Sequence, residues 1–577
     1  MSARPWQSIV RSSRRWLALR LLALIGLIFA TGGVAGAQQA YTGVQPRTPL
    51  ADIPPGGQMR NFTLVGQNPL IDPVLGIPRG MNGGIAAVRD CLYVGSNIGL
   101  QPTLIVDMSD VTNPTVVGEL PDWVRGRGNG IEAIEAVPDL NLLVNTVRMS
   151  FSILGTSIGF DPPPDQYNTG LLVYDVTDCR HPALVAKFDF PVVNLHYMTL
   201  WRDPANPGRV LAVNTFNSGV PGDGIDLRVV DLTGCPSVCR PTQVAEWGLN
   251  AQFDIPPVMQ IPYEGGVYRP NTQTHDATWS LDGTRIHLAQ THFGYLEMDS
   301  SSLALNQSCD PSSPTSPNAT GHCLTVLNPD LNRVAPFGNG VATVHGVVKI
   351  PGRPYVALAH EGHSCPYGGV TFVYVGSQES FASAGGPGTG LFRGDLFPKV
   401  VGSFGIPENQ VDRCPVPGQA PGPNTLGPDL LRTTKTVHDL LAFPSVLFAS
   451  WYSGGLRAID ISNPYSPFEL GFFFNKPAPE VRWCGEYTAV IVSCDAVEKD
   501  ANGLPYRARQ ILPPDVMARS YPIIMNGHVV YSDENMGVYV LKYTGPHADE
   551  IPTAGICISH NPNVTSPGYE PCYPYKT

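Results

Sequence analysis

Short apolar runs recur along the chain, each closed by a polar turn, and the repeated unit is a hairpin. The stretch TLIVDMSDVTNPTVVGEL begins at Thr103, GLLVYDVTDCRHPALVAKF at Gly170, DLRVVDLTGCPSVCRPTQVAEW at Asp226 and GLRAIDISNPYSPFELGFF at Gly455. In each, an apolar strand ends at an acid: Asp107, Asp175, Asp231 or Asp460. A polar turn follows, with Asn-Pro at Asn113-Pro114 and Asn463-Pro464, and then a second apolar strand. The carboxylate accepts backbone N–H bonds in the turn and proline presets its backbone. Strand, acidic turn, strand predicts a β-hairpin.

Further strand pairs lie between these hairpins. They begin at Gly83, Asn129, Leu195, Thr274, Val344, Val437 and Ser520, with turns such as Asp282-Gly283 at their centres. Seven units of four strands predict an all-β fold, a single seven-bladed β-propeller with disulfide-bonded loop insertions. The downstream half of the fourth unit is degenerate, which leaves six or eight blades open. The last unit ends at MGVYVLKYTGP, from Met536, with no strand after it. NFTLVGQ, Asn61 to Gln67, resembles the outer strands PTVVGEL and PKVVGSF, so it is expected to complete the last blade. A sheet edge left unpaired there would invite aggregation. The expected division is a signal segment at 1–37, an N-terminal segment with the closing strand at 38–80, the propeller at 81–546 and a tail at 547–577.

Composition agrees. Of 577 residues 43% are hydrophobic, enough for a packed core, and 60 glycines with 57 prolines favour many turns over long helices. A net charge of -11 without a basic run beyond the leader argues against nucleic acid, which needs clustered Lys and Arg. Arg11, Arg14 and Arg15 precede the apolar run Leu21 to Ala30, and Ala35-Gly36-Ala37 is a cleavage pattern. That is a secretory signal, with the Sec route favoured over the twin-arginine route that Ser13-Arg14-Arg15 would suit. The chain is therefore expected to be exported, periplasmic or extracellular, without a membrane span and monomeric. Twelve cysteines suit that compartment. Proximity suggests Cys235 with Cys239, Cys309 with Cys323, Cys484 with Cys494 and Cys557 with Cys572. Cys365 and Cys414 flank one long insertion, and Cys91 and Cys179 are left over.

LIVDMSDVTNPTVVG and LRAIDISNPYSPFELG resemble the LVIVD-repeat proteins of bacteria, a resemblance running from about Gly83 to Tyr543. It implies an exported β-propeller and names no reaction. LFASWYSGGLRAIDISNP, Leu447 to Pro464, is distantly similar to the selenium-binding-protein and methanethiol-oxidase family. Trp451 and Arg457 match that family, and Ser453 stands where it has His.

One slot carries chemistry. Where the inner strands open, four consecutive units hold His196, His275, His345 and His438, and Asp276 and Asp439 follow two of them. Units one, two and seven lack the histidine, with Gly84, Gly130 and Pro522 near the slot. Inner strands line the axis, so four imidazoles could converge there, and such a set suits iron, copper or zinc. Repetition equally fits structural punctuation, with the histidines bonding backbone and the acids pinning turns. His292, His360, Glu361 and His363 are expected at one channel mouth or behind the ligands. Two functions follow: an exported propeller binding a partner or small ligand on one face or in its channel, or a metal-dependent oxidoreductase with a four-histidine centre.

Overall fold

The structure is a computed structural model that describes residues 57–73, 75–96, 102–121, 127–149, 169–191, 195–216, 225–249, 261–263, 266–268, 274–280, 282–291, 294–306, 323–326, 343–361, 368–376, 398–406, 436–476, 478, 481, 496–499, 505–509, 516–557 and 572–573. The chain divides into residues 1–46, which lie outside that set together with the expected signal segment, and residues 47–577.

The second unit is a seven-bladed β-propeller. Blade 1 comprises Asn82–Val88, Cys91–Ser96, Leu104–Asp107 and Thr115–Glu119; blade 2 comprises Arg127–Val137, Leu142–Met149, Thr169–Asp175 and Ala183–Phe190. Blade 3 runs Leu195–Arg202, Val210–Phe216, Leu227–Asp231 and Thr242–Trp247. Blade 4 runs Thr274–Trp279, Arg285–Gln290, Gly294–Asp299 and the short Thr325–Val326, so its degenerate half still supplies a fourth strand. Blade 5 is Thr343–Lys349, Tyr355–Glu361, Val370–Tyr374 and Lys399–Phe404, and blade 6 is Leu440–Ala442, Val446–Ser450, Leu456–Asp460 and Phe468–Phe474. Blade 7 is Ile523–Met525, His528–Asp533 and Gly537–Tyr543.

Its fourth strand is Phe62–Asn68, antiparallel to Gly537–Tyr543, as the outer-strand resemblance predicts. Phe62 anchors it against Tyr543 and Phe448, with ring centroids 5.1 and 6.0 Å away. The same segment also does something the pattern did not announce: Gln58–Arg60 adds a fifth strand to blade 6 by pairing with Phe472–Phe474. The expected tail contributes as well, since Ile556–Cys557 pairs with Ile524–Met525 and then with Cys572–Tyr573.

The hairpin acids behave as the turn chemistry requires. Asp107 accepts the Ser109 amide at 2.9 Å, Asp175 that of Thr177 at 2.8 Å, Asp231 that of Thr233 at 2.7 Å and Asp460 that of Ser462 at 2.9 Å. The core lies between the faces of adjacent blades, where apolar side chains from neighbouring sheets interdigitate. Trp201 of blade 3 stacks on Trp279 of blade 4 with centroids 5.5 Å apart. Gly283 turns at φ +71°, and a Cβ there would stand 2.3 Å from the Trp201 ring, so the Asp282-Gly283 turn needs its glycine twice over.

Disulfides join Cys91 to Cys179, which ties blade 1 to blade 2, and Cys235 to Cys239. The two left-over cysteines thus pair with each other. Cys323 and Cys557 are disulfide-bonded too, and Cys557 stands opposite Cys572 in strand register. Cys309, Cys365, Cys414, Cys484 and Cys494 lie outside the described residues. Among the described residues no helix is long and apolar enough to cross a membrane.

Candidate functional site at the propeller axis

In five blades the axial residue enters through the same irregularity. The pairing of the first two strands skips at the inner strand's opening: between Asn82 and Ile85 in blade 1, Asn129 and Ile134 in blade 2, and Leu195 and Met198 in blade 3. It skips between Thr274 and Asp276 in blade 4 and between Val344 and Gly346 in blade 5. A bulge leaves a residue out of the ladder and re-aims its side chain. Blade 6 places His438 with its amide on Ser450 O at 2.8 Å, and blade 7 places Arg519 with its amide on Ser532 O at 3.2 Å.

The residues at this slot around the ring are therefore Gly83-Gly84, Glu132, His196, His275 and His345 at the register skips, with His438 and Arg519 just ahead of the inner strands of blades 6 and 7. Gly130 lies in the same skipped stretch as Glu132, which spans more residues than the skips in the other blades, and Pro522 follows Arg519 by three residues. Gly84 stays glycine because a Cβ would stand 2.5 Å from the Glu132 carbonyl oxygen.

The four histidines form one continuous row of rings in contact. Ring centroids are 4.0 Å apart for His196–His275, 3.5 Å for His275–His345 and 4.2 Å for His345–His438. His196 Nε2 and His275 Nε2 are 2.6 Å apart, and Glu132 Oε2 lies 3.0 Å from the first and 3.6 Å from the second. His345 Nε2 lies 3.4 Å from Glu361 Oε2. Both carboxylates are held from behind: Arg519 Nη2 donates to Glu132 Oε1 at 2.9 Å, and the Tyr452 hydroxyl donates to Glu361 Oε1 at 2.6 Å. His438 Nδ1 faces Asp439 Oδ2 at 3.0 Å and the Arg519 carbonyl at 2.8 Å.

Burial decides the charge states. It pushes the His275 imidazole well below its ordinary range, helped by the neighbouring His345 and His196. Burial likewise lowers His345 to about 4, against the pull of Glu361. Both rings are neutral near pH 7, with a lone pair to offer. At His438 burial also pushes downward, but the charge and hydrogen bond of Asp439 outweigh it and raise the group to about 9.

The remaining expected residues divide. Glu361 faces His345, and Asp439 holds His438, as described. Asp276 serves the backbone: its Oδ1 accepts the Ala277 amide at 2.6 Å and its Oδ2 accepts the Val347 amide of blade 5 at 2.9 Å. Burial pushes its carboxyl well above the usual range. His360 is fully buried one residue before Glu361, and burial alone lowers it to about 3. His292 and His363 lie outside the described residues. Glu132, Arg519 and Tyr452 were missed. The signal for the first two was present: charges in otherwise largely apolar openings, Glu132 and Glu135 in GNGIEAIEAV and Arg519 in MARSYPII. Tyr452 gave none, since only the fold brings it to Glu361.

The donor atoms of Glu132, His275 and His345 lie within 4.8 Å of one another, as do those of His345, His438 and Asp439. The separations of 2.6, 3.0 and 3.6 Å among His196 Nε2, His275 Nε2 and Glu132 Oε2 leave a point about 2.1 Å from all three, the length of a zinc–imidazole bond.

The LVIVD repeat matches residues 451–473, the third and fourth strands of blade 6 with the turn before them. No curated protein matches the chain. Among solved structures it is similar to Sqt1 from Chaetomium thermophilum, at 12% identity and a TM-score of 0.41 over 85% of this chain and 100% of that one. It is also similar to Sqt1 from Saccharomyces cerevisiae, at 8% identity and a TM-score of 0.39 over 81% and 96%. A third is the Cps50 (Swd1) β-propeller domain from Myceliophteria thermophila, at 9% identity and a TM-score of 0.40 over 83% and 98%. Similarity at this level carries no functional argument.

Proposed function

We propose that this chain is an exported β-propeller that binds a small ligand in its central channel, and that the ligand is a first-row transition-metal ion. One observation carries the reading: His196 Nε2, His275 Nε2 and Glu132 Oε2 approach within 2.6 to 3.6 Å of one another while buried. Two neutral imidazoles pressed nitrogen to nitrogen share at most one proton, whereas an ion satisfies both lone pairs and the carboxylate charge. Arg519 orients Glu132 from behind, the arrangement by which an outer hydrogen bond fixes a metal-binding side chain. Imidazole with carboxylate suits iron, copper or zinc. Export is supported by the disulfides, which persist in oxidising compartments.

The test is metal content. The full chain incubated with zinc, copper or iron(II) and then desalted should retain bound ion, and His196→Ala and His275→Ala should each retain less of it than the wild type, with unchanged far-UV circular dichroism. A wild-type protein that retains no ion overturns the reading. A metal-dependent oxidoreductase is the second reading. It is favoured by the donor set itself, since two histidines and one carboxylate leave coordination positions for a substrate.

A further inference from the structure

The channel carries more donors than one ion uses, and its two carboxylates divide them into two sets of like composition. The first is Glu132, His196 and His275. The second is Glu361, His345 and His438. We infer that the channel binds two metal ions side by side, each on two imidazoles and one carboxylate; the inference rests on the metal reading above.

The two carboxylates are built alike. Each commits one oxygen to a donor that is not itself a ligand, Arg519 for Glu132 at 2.9 Å and Tyr452 for Glu361 at 2.6 Å. Each turns its other oxygen to an imidazole Nε2, at 3.0 Å from His196 and 3.4 Å from His345. The carboxylates come from different places, Glu132 from a bulge on the inner strand of blade 2 and Glu361 from the end of the second strand of blade 5. Repetition of the propeller unit therefore does not explain the duplication. An ion of the zinc type takes four ligands, and six side chains exceed that number.

The histidines complete the sets. His438 Nδ1 faces two acceptors, Asp439 Oδ2 and the Arg519 carbonyl, so a proton is held on Nδ1 and the ring's metal-binding nitrogen is Nε2, from which an incoming ion displaces the proton carried by the metal-free ring. Among the described residues His438 Nε2 has no hydrogen-bond partner although it is buried. Asp439 is occupied in holding that ring and so stands behind the ligands rather than among them. His275 and His345, one from each set, lie with ring centroids 3.5 Å apart and bring the two sets together. Paired ions in two-metal sites sit about 3.5–4 Å apart, a spacing that adjacent sets along one row of rings can supply. The ligand class is a first-row divalent ion that accepts mixed nitrogen and oxygen donors.

The experiment is native mass spectrometry of the full chain titrated with cobalt(II) alone. Two ions per wild-type chain are expected. Glu361→Gln should bind one, losing the second set, and Glu132→Gln should bind one, losing the first. Co(II) electron paramagnetic resonance of the wild type should show a spin-coupled pair whose coupling vanishes in either variant. A single ion per wild-type chain would overturn the second centre and leave the metal reading standing. No ion at all would overturn both. Two ions retained in Glu361→Gln would overturn the assignment of the second set.

Discussion

Arg519 donates a hydrogen bond to Glu132 over 2.9 Å although 387 positions separate them in the chain. The contact crosses from blade 7 to blade 2 over blade 1, whose slot holds only Gly83 and Gly84. Both charged groups are buried, and Glu132 Oε2 is left facing His196.

Arg519→Met should therefore fail in two ways. It strands a buried carboxylate, a loss of about 3–5 kcal/mol in chemical unfolding. It also frees the carboxylate to rotate, so metal affinity should fall about 10- to 100-fold. The double variant Arg519→Met with Glu132→Gln should recover much of the stability but none of the affinity. Equal stability in wild type and Arg519→Met would refute the link.

Closure by the N-terminal strand is tested by removal. Deleting residues 38–70 exposes the Gly537–Tyr543 edge of blade 7 and the Phe468–Phe474 edge of blade 6. Loss of a single cooperative thermal transition is expected, with aggregation. Phe62→Ala is the milder version and should cost about 3–5 kcal/mol, because the ring packs between Tyr543 and Phe448. A deletion variant that unfolds like the full chain would contradict closure.

Asp276 separates punctuation from ligation. Asp276→Ala leaves the buried Val347 amide without its acceptor and should cost about 1–3 kcal/mol. Asp276→Asn keeps an acceptor and should cost less, and metal content should stay at the wild-type level in both. A loss of bound metal in the asparagine variant would move Asp276 into the centre.

The buried histidines fix the sign of the acid response. His360 is lowered from 6.5 to about 3 by burial, so the unfolded chain binds its proton first as pH falls. Stability is fully present above pH 6.5 and is lost as pH drops towards 3. The denaturant midpoint should therefore decline through that window, and His360→Leu should flatten the decline. His438 has the opposite sign. Raised to about 9, it contributes most below pH 6.5 and loses its contribution as pH rises through 9. Superimposable pH profiles for wild type and His360→Leu would count against the burial argument.

The Cys91–Cys179 bond closes a separation of 88 residues across two blades. Reducing it, or replacing both cysteines by alanine, should cost about 4.6 kcal/mol by the loop-closure relation. Cys235–Cys239, with a separation of 4, should matter much less. The comparison of the two double variants by thermal unfolding decides it.

The sequence by itself determined the repeating strand unit and the propeller class. Period-two apolar runs, the Asp turns and the recurrence of the unit are local signals, and local signals suffice for a fold in which each blade repeats one hairpin chemistry. It also determined which four histidines share a slot, because equivalent positions in successive blades meet at one height on the axis. The outer strand at Phe62–Asn68 was legible for the same reason, as a copy of its counterparts. What only the tertiary structure decided is everything that depends on bulge length and on contacts between distant segments. Glu132 and Arg519 share the histidines' slot, yet an inner strand that bulges by a different number of residues does not align by sequence. Tyr452 meets Glu361 across two blades, Cys91 finds Cys179, and Gln58–Arg60 extends blade 6. No local pattern encodes such pairs; ring closure makes them neighbours. The distinction between Asp276, which serves backbone, and Asp439, which serves a histidine, is of the same kind. Both follow a slot histidine in sequence, and only the direction of each carboxylate within the packed channel separates their roles.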